Sequence, residues 1–271
     1  MKVKPSPLAV MVAGVVAGFL LMPLIAVIPV SFTPARFLSM PTNAWSLRHY
    51  QALLDNPAWL ESAWLSVRIA LLSSAIATFL GLSFSLGMWM IQPRFANLLF
   101  GFVLLPMVAP PVVSAITLYF FLISLSKVNS IVGYDTWIGV ATAHAVMISP
   151  FAVVLITVAL SQVDRRIDLA ARGFGATVKQ RVFTIILPNI RFGIITAAFL
   201  SFVLSWEEIG VTLFITSVNA VTLPRMMWMG LRDNIDPAIA AISVILIGIV
   251  MIVVLLKTIL TASFGQKATE R

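Results

Sequence analysis

Residues 170–188 read AARGFGATVKQRVFTIILP and lie between two long apolar runs. The stretch carries Arg172, Lys179 and Arg181, and Arg191 follows it closely. The whole chain is 60% hydrophobic and only 10% charged. Such a cluster of basic residues, with glycines on either side of Phe174, therefore predicts a polar loop between two apolar segments.

The composition of the 271-residue chain is that of a membrane protein, because soluble domains have about 25% charged residues. Apolar runs of 18 or more residues predict membrane spans, which must be helical because lipid cannot satisfy open backbone groups. We predict an all-α polytopic membrane protein with six transmembrane helices and a cytoplasmic two-helix loop. The predicted spans are 8–30, 62–91, 98–126, 137–160, 192–217 and 238–261.

Three regions are expected along the chain. Residues 1–61 hold the first span and an outer interfacial segment, with a short helix over 47–54 and a turn at Asn56 and Pro57. Residues 62–261 form the core, including the loop 161–191, and residues 262–271 form a tail. The first apolar run exceeds the 7–15 residues of a signal-peptide core and no cleavage site follows, so a retained span is expected.

The distribution of Lys and Arg predicts the orientation, because cytoplasmic loops are enriched in them. With six spans both termini lie on one side. That side carries most of the basic residues: Lys2, Lys4, Arg94, Arg165, Arg166, Arg172, Lys179, Arg181, Arg191, Lys257, Lys267 and Arg271. The other side carries Arg36, Arg48, Lys127, Arg225 and Arg232. Both termini and the loop 161–191 are therefore predicted to be cytoplasmic, and the net charge of +8 is attributed to topology, not to nucleic-acid binding.

The third span contains Pro106, Pro110 and Pro111. Proline removes a backbone donor and kinks a helix, which is tolerated where neighbours or a cavity satisfy the freed carbonyls. We predict a kinked helix beside the translocation pathway; the alternative is a loop.

The loop 161–191 has the local signals of two short amphipathic helices. Asp164 can cap the first helix, and Gly175 stands where a helix end favours positive φ. Thr177 and Gln180 fit a capping box. The first apolar stripe is Ile167, Ala170, Ala171 and Phe174, and the second is Val178, Val182, Phe183 and Ile186. These patterns fit a loop on lipid head groups or one docked in a partner's groove, and they do not separate the two.

The loop resembles the EAA loop in membrane subunits of binding-protein-dependent ABC importers. The residues that match this motif are Ala170, Ala171, Gly175, Ala176, Leu187 and Pro188. Leu169 stands where the family usually has Glu, Phe174 where it often has Leu, and Asp168 lies one residue before the usual carboxylate. The resemblance implies an ATPase-coupling role for Asp168, Ala170, Ala171, Phe174, Gly175, Ala176, Phe183, Leu187 and Pro188.

The resemblance extends over most of the chain. SWEEIGVTLFI at 205–215 is similar to a region of the spermidine/putrescine-type permeases, and the segments after residues 45 and 222 are similar to that subfamily as well. It implies a type I importer permease in the bacterial plasma membrane that carries a polyamine-like solute or another small organic amine. The implied partners are a second related permease forming a heterodimer, two ATPase subunits that bind ATP and Mg²⁺, an external solute-binding protein and membrane lipid.

Glu207 and Glu208 are expected inside the fifth span, where carboxylates usually line a bundle interior or a cavity. Structural pairing, with Arg68 or with the partner permease, and contact with a cationic solute both remain open. The translocation-pathway candidates are Glu207, Glu208, Arg68, Pro110 and Trp206. His144 is interpreted as a hydrogen-bonded packing residue, with proton or solute handling as the alternative.

The sequence predicts no catalytic residues, no metal site and no cofactor in this chain. It has no G-x-x-x-x-G-K-[ST] phosphate loop, so the energy source is expected in another subunit. The alternative is an ion-gradient-driven secondary transporter, which would need inverted repeats and broken helices near the midplane, and no paired halves are evident in the sequence. An intramembrane enzyme is disfavoured because no convincing nucleophile, base or metal cluster is present.

Overall fold

The computed structural model describes residues 6–42, 44–233 and 236–269, with side chains left out for 233 and 257–269. Every regular element in these ranges is helical. In chain order the elements are α1 (Pro7–Val30), α2 (Arg48–Asp55), α3 (Pro57–Ile91), α4 (Ala96–Val108), α5 (Pro111–Ser126), α6 (Trp137–Ser161), α7 (Arg165–Gly173), α8 (Val178–Gln180), a π-helical segment (Arg181–Ile186), α9 (Leu187–Glu207), α10 (Thr212–Ile215), α11 (Leu223–Asp233) and α12 (Ala238–Thr269).

Six spans are present when one broken pair is taken as a single span. Five stretches of helix are long and apolar enough to cross a membrane: Pro7–Val30, Pro57–Ile91, Trp137–Ser161, Val178–Glu207 and Ala238–Leu256. The sixth is the pair α4 and α5, which is bent by 97°. The all-helical, six-span prediction is therefore confirmed. Lys2 and Lys4, and the side chains of the tail, lie outside the described residues.

The third span is broken, where the sequence predicted a kink. Ala109 has an extended backbone (φ −64°, ψ 139°), and Pro110 follows with ψ 131°. A proline pushes the residue before it out of the helical region, and two successive prolines remove two backbone donors. Pro106, in contrast, lies inside α4 without ending it. The tandem prolines thus explain why the helix stops at Val108 and starts again at Pro111.

The fifth span differs from its predicted bounds of 192–217. Continuous helix begins at Val178, passes through the π-helical segment and ends at Glu207. The predicted second short helix of the loop is therefore the first part of a 30-residue helix, and Leu187 and Pro188 lie inside that helix. At about 1.5 Å per residue it is roughly 45 Å long. Beyond Glu207 the chain leaves the helix, and the short α10 follows.

The residues form two compact units, Leu60–Met226 and the combination of Met1–Trp59 with Met227–Arg271. In the first unit α6 is central and packs against α9 and α4. Small residues allow close approach of α9 and α3 to α6, since a Cβ on Gly193 would lie 2.3 Å from the Ala159 Cβ and one on Gly81 would lie 2.9 Å from the Ala152 Cβ. In the other unit α12 packs against α1 and α2.

The predicted short helix over 47–54 is present as α2. Tyr50 on this helix packs its ring against Phe32, with ring centres 5.3 Å apart, and donates or accepts a hydrogen bond with Ser31 at 2.8 Å. The second span begins at Pro57, not at residue 62, because Asn56 accepts the Ala58 N–H and Pro57 suits the first helical turn. The interfacial position of α2 remains a prediction.

Candidate functional site

The loop 161–191 follows the local signals in its sequence. The Asp164 carboxylate accepts the Arg166 N–H at 2.9 Å and starts α7. Gly175 has φ +78° and ends the turn after α7. Thr177 and Gln180 form the expected capping box at the start of the long helix, with the Thr177 N–H donating to the Gln180 side chain at 2.8 Å. The helix start, the glycine turn and the second helix start are thus confirmed.

A buried ion pair joins α7 to the first turn of the π-helical segment. Asp168 accepts hydrogen bonds from Arg181 Nε at 2.6 Å and Arg181 Nη2 at 2.8 Å, and the two side chains are 6% and 7% exposed. Arg172, one helical turn after Asp168, approaches the same carboxylate at 3.0 Å but is 46% exposed. The hydrogen bond from Arg181 holds the pKa of Asp168 below its usual value, although burial opposes this. Arg181 was predicted only as a basic residue, and nothing in the sequence indicated this partner.

Several large apolar side chains of this loop are exposed. Phe174 is 92% exposed, and Phe183, Leu169 and Ile167 are 62%, 60% and 46% exposed. α7 ends at Gly173, so Phe174 stands just beyond the helix that its stripe predicted. We call Ile167, Leu169, Phe174 and Phe183 the loop surface. Such large exposed apolar groups indicate contact with a partner or with lipid.

Three of the other predicted coupling residues, Ala170, Ala171 and Ala176, lie around the same turn. Ala170 is exposed, and Ala171 and Ala176 are half-buried. The Ala176 N–H donates to the Ala171 carbonyl at 3.0 Å, which closes the turn over Gly175. Leu187 and Pro188 lie farther along the long helix, in its first turns after the π-helical segment. Both residues therefore belong to the long helix and not to the turn.

The two interrupted spans open onto one cavity of about 650 Å³, which we call the break cavity. It is lined by residues 106–111, Met147, Ile148, Phe151, Leu204 and 207–210. The end of α4, the break after it and the end of α9 therefore meet at one place, with α6 forming the remaining wall. The structure brings together Pro110, Glu207 and Glu208 from the predicted pathway residues.

The remaining pathway candidates lie elsewhere. The Arg68 guanidinium lies over the Trp64 ring, 5.4 Å from its centre, and it forms no ion pair with Glu207 or Glu208 in the described part of the chain. The Trp206 ring stacks on Phe202, with centres 6.3 Å apart. The pairing of Arg68 with a carboxylate of the fifth span has no support in this geometry, whereas pairing with the partner permease and contact with a solute remain predictions.

His144 is a buried hydrogen-bonded residue, as interpreted from the sequence. Its Nδ1 lies 2.9 Å from Ser205 Oγ and its Nε2 lies 2.8 Å from Thr212 Oγ1, and the side chain is 1% exposed. Ser205 is in α9 and Thr212 is in α10. His144 thus ties α6 to both sides of the break in the fifth span.

Asp135 organises the turn after α10 and was not predicted. Its carboxylate accepts N–H groups from Ser217 at 2.7 Å, Val218 at 3.1 Å and Ala220 at 3.2 Å. Asn219 adds its backbone and side-chain N–H groups. Burial raises the pKa of Asp135, but these donors outweigh it and hold the pKa below its usual value. Asp135 directly precedes the helix cap Thr136, and nothing in the sequence indicates that it binds the backbone of residues 217–220.

A helical membrane chain whose interrupted spans open onto a shared cavity has features typical of membrane transport proteins. The chain belongs to the family of binding-protein-dependent transport system inner membrane components, whose model matches residues 77–268. It is therefore a permease subunit of an importer of this class in the inner membrane, as predicted. Family membership favours this function over the ion-gradient-driven alternative.

Three curated relatives extend the similarity over most of the chain. The putrescine transport system permease protein PotI of Escherichia coli K12 is 28% identical over 92% of this chain and 88% of its own length. The spermidine/putrescine permease protein PotC of Haemophilus influenzae is 25% identical over 91% and 93%. A probable molybdenum ABC transporter permease protein of Haloferax volcanii is 31% identical over 75% and 76%.

A solved structure confirms the fold. The crystal structure of an amino acid ABC transporter with histidines matches with a TM-score of 0.55 at 18% identity. The match covers 78% of this chain and 94% of the other. At this identity the similarity concerns the arrangement of helices alone.

Proposed function

We propose that this chain forms half of the translocation pathway of an ATP-driven importer for a small organic amine. The observation that carries the proposal is the continuous helix Val178–Glu207, which connects the loop surface at one end to the break cavity at the other. Its partners are a second related permease, two ATPase subunits that bind ATP and Mg²⁺, and an external solute-binding protein. Both termini and the loop 161–191 face the cytoplasm.

The loop surface docks in a groove of an ATPase subunit. The buried ion pair between Asp168 and Arg181 joins α7 to the long helix, so both move as one body when the ATPase subunits close. A helix of roughly 45 Å carries that movement to Glu207. The two breaks that line the cavity give the spans a place to change their relative angle, which alternates access to the pathway.

The amine is favoured by two observations. Two of the relatives are named for putrescine or for spermidine and putrescine, and two carboxylates line the break cavity. The relative named for molybdenum makes an oxyanion the second candidate. The carboxylates argue against an oxyanion, because like charges repel each other.

Co-purification and transport test the proposal. The chain is expressed with its partners, purified in detergent, and placed in liposomes together with the solute-binding protein. Recovery of the ATPase, and uptake of putrescine that requires ATP hydrolysis, is the expected result. Uptake by the permease alone, driven by an imposed ion gradient, would contradict the proposal.

A further inference from the structure

We infer that a second pocket, at the ends of three spans, binds the phosphate group of an anionic phospholipid. This pocket has a volume of about 540 Å³ and lies where α3 ends, α4 begins and α6 ends. We call it the α3–α4 pocket. It shares no lining residue with the break cavity, so the inference depends neither on the transported solute nor on the ATPase partners. Basic pockets between transmembrane helices are suited to anionic lipid head groups.

Arg165 supplies the positive charge of the α3–α4 pocket. It is the only charged residue among the described residues that line the pocket. Its guanidinium lies over the Trp89 ring, 5.2 Å from the ring centre, and no carboxylate in the described part of the chain pairs with it. A guanidinium held by an aromatic ring can still donate from its N–H groups, whose planar arrangement matches phosphate oxygens. Arg165 is thus held in place by Trp89 while its donors stay available for a ligand.

The charges around the pocket add to this preference for an anion. Asp164 is the carboxylate next to Arg165 in the chain, and it accepts the Arg166 N–H at 2.9 Å as the cap of α7. Pro93 lines the pocket, and the basic residue Arg94 follows it in the turn between α3 and α4. Long basic side chains and Trp are also enriched where membrane spans meet the head groups. The pocket therefore combines a positive charge with the position that a lipid phosphate occupies.

Gln92 brings a further donor to the same pocket. It follows the end of α3 at Ile91 with φ +51°, a conformation that residues other than glycine seldom adopt. Its side chain is exposed and makes no hydrogen bond with another described residue. Strained backbone conformations cluster at ligand sites. The side-chain amide of Gln92 is therefore available to donate to a phosphate oxygen beside Arg165.

The apolar walls favour a lipid over a free phosphate ion. Phe100 lines the pocket and packs edge-on against Phe84, with ring centres 5.2 Å apart. On the same helix, Phe95, Leu99 and Phe102 are 70%, 40% and 61% exposed, and they continue the apolar surface from the pocket along the span. Acyl chains gain free energy from such contacts, whereas an inorganic phosphate does not use them.

Lipid binding to the purified protein tests the inference. The full chain, with the partners that co-purify, is stripped of lipid in detergent and titrated with phosphatidylglycerol, phosphatidylethanolamine or inorganic phosphate. Bound lipid is counted by native mass spectrometry, and ligand-dependent shifts of the unfolding midpoint are measured in parallel. Phosphatidylglycerol should bind more tightly than the other two probes. Equal affinity for phosphatidylethanolamine would overturn the anionic lipid, and equal affinity for inorganic phosphate would overturn the lipid.

Arg165→Gln should weaken phosphatidylglycerol binding by about 10-fold or more, because a hydrogen bond to a charged group is lost. Arg166→Gln is the matched control, since it makes the same change of charge one residue further on, outside the lining of the pocket. It should stay within about twofold of wild type. Equal losses in the two variants would show a general attraction to basic residues and would overturn the pocket.

Two further variants keep the test decisive if Arg165→Gln folds poorly. Gln92→Gly relieves the positive φ, so without lipid it should unfold at the wild-type temperature or above, yet phosphatidylglycerol should stabilise it less. Ala96→Phe fills the pocket without changing the charge, and it should reduce phosphatidylglycerol binding to the level of Arg165→Gln. Wild-type lipid binding in both variants would overturn the inference.

Discussion

The carboxylate of Asp168 receives both Nε and Nη2 of Arg181, thirteen residues further along the chain, at 2.6 and 2.8 Å. This pair joins α7 to the start of the long helix, on the other side of the turn at Gly175. Both side chains are almost fully buried, so the pair resists competition from water. It fixes the angle between the loop surface and the helix that leads to the break cavity.

Removing one partner of this pair should be strongly destabilising. Breaking a buried ion pair from one side costs about 3–5 kcal/mol, because it leaves a buried charge without compensation. We expect Arg181→Gln to lower the thermal unfolding midpoint of the complex in detergent and to reduce uptake per ATP hydrolysed. Arg172→Gln is the matched control, because Arg172 approaches the same carboxylate but is 46% exposed, and exposed pairs contribute little.

The dependence on pH gives a second measurement for this pair. The folded pKa of Asp168 lies below its usual value, so the pair contributes fully above the unfolded pKa of about 3.9 and is lost as pH falls through the folded pKa. Unfolding midpoints are measured from pH 7 down to pH 3 for wild type and Asp168→Asn. The difference should shrink only at the acid end, and a difference that is constant over this range would contradict the assignment.

The space around Gly175 would accept a side chain, but its backbone conformation would not. A Cβ at Gly175 would meet nothing within 4 Å, but its φ of +78° strains residues other than glycine. Gly175→Val and Gly175→Pro should uncouple uptake from ATP hydrolysis, whereas Gly175→Asn should retain much of the coupling because Asn accepts positive φ more readily. Solute-stimulated hydrolysis and uptake are measured together in liposomes.

Gly173→Ala provides the control for that experiment. Gly173 also has open space around its position, and its φ is not in the left-handed region. It should therefore behave like wild type. If Gly175→Val shows normal stimulation and normal uptake, the requirement for a glycine turn is refuted.

The loop was predictable because its signals are local. Asp164, Gly175, Thr177 and Gln180 each act within a few residues, through caps and a positive φ. The pairing of Asp168 with Arg181 was not, because it depends on how two elements meet in space. A membrane span is apolar whether its helix is whole or broken. Hydropathy therefore predicted the six spans but missed the end of the fifth helix at Glu207.

The breaks themselves show the same limit. Pro110 and Pro111 indicated an interruption of the third span, because a proline fixes its own φ and lacks a backbone N–H. The interruption of the fifth span is held by a local hydrogen bond from the Val211 N–H to the Glu208 side chain and by a tertiary hydrogen bond between His144 and Thr212. The cavity between the two breaks depends on how the helices pack against each other, and the local sequence signals carry no information about that packing.

His144 should matter for stability and not for solute choice. Ser205 and Thr212, its two partners, are 3% and 0% exposed. His144→Ala leaves the Ser205 hydroxyl without its partner, at about 1–3 kcal/mol where no water enters, whereas the Thr212 hydroxyl keeps its bond to the Glu208 carbonyl. We expect a lower unfolding midpoint for His144→Ala, a smaller loss for His144→Asn, and an unchanged preference for putrescine over molybdate in the folded fraction. A changed preference with normal stability would support the alternative of solute handling.

Phe174 distinguishes docking on a partner from contact with lipid. Its ring is 92% exposed, and it stands beside the Gly175 turn at the edge of α7. An aromatic side chain that fills an interface groove costs about 2–4 kcal/mol when it is truncated, which corresponds to a loss of affinity of about 30- to 1000-fold. We expect Phe174→Ala to reduce recovery of the ATPase with the permease pair in detergent.

Phe183→Ala is the comparison within the same loop surface, since Phe183 is 62% exposed and lies on the long helix. We expect it to be less damaging, because it is farther from the turn that presents Phe174. In a loop that rests on lipid head groups, both variants would weaken membrane contact slightly and leave the complex whole. Unchanged ATPase recovery and unchanged coupling in Phe174→Ala would therefore refute docking and favour the lipid-facing loop.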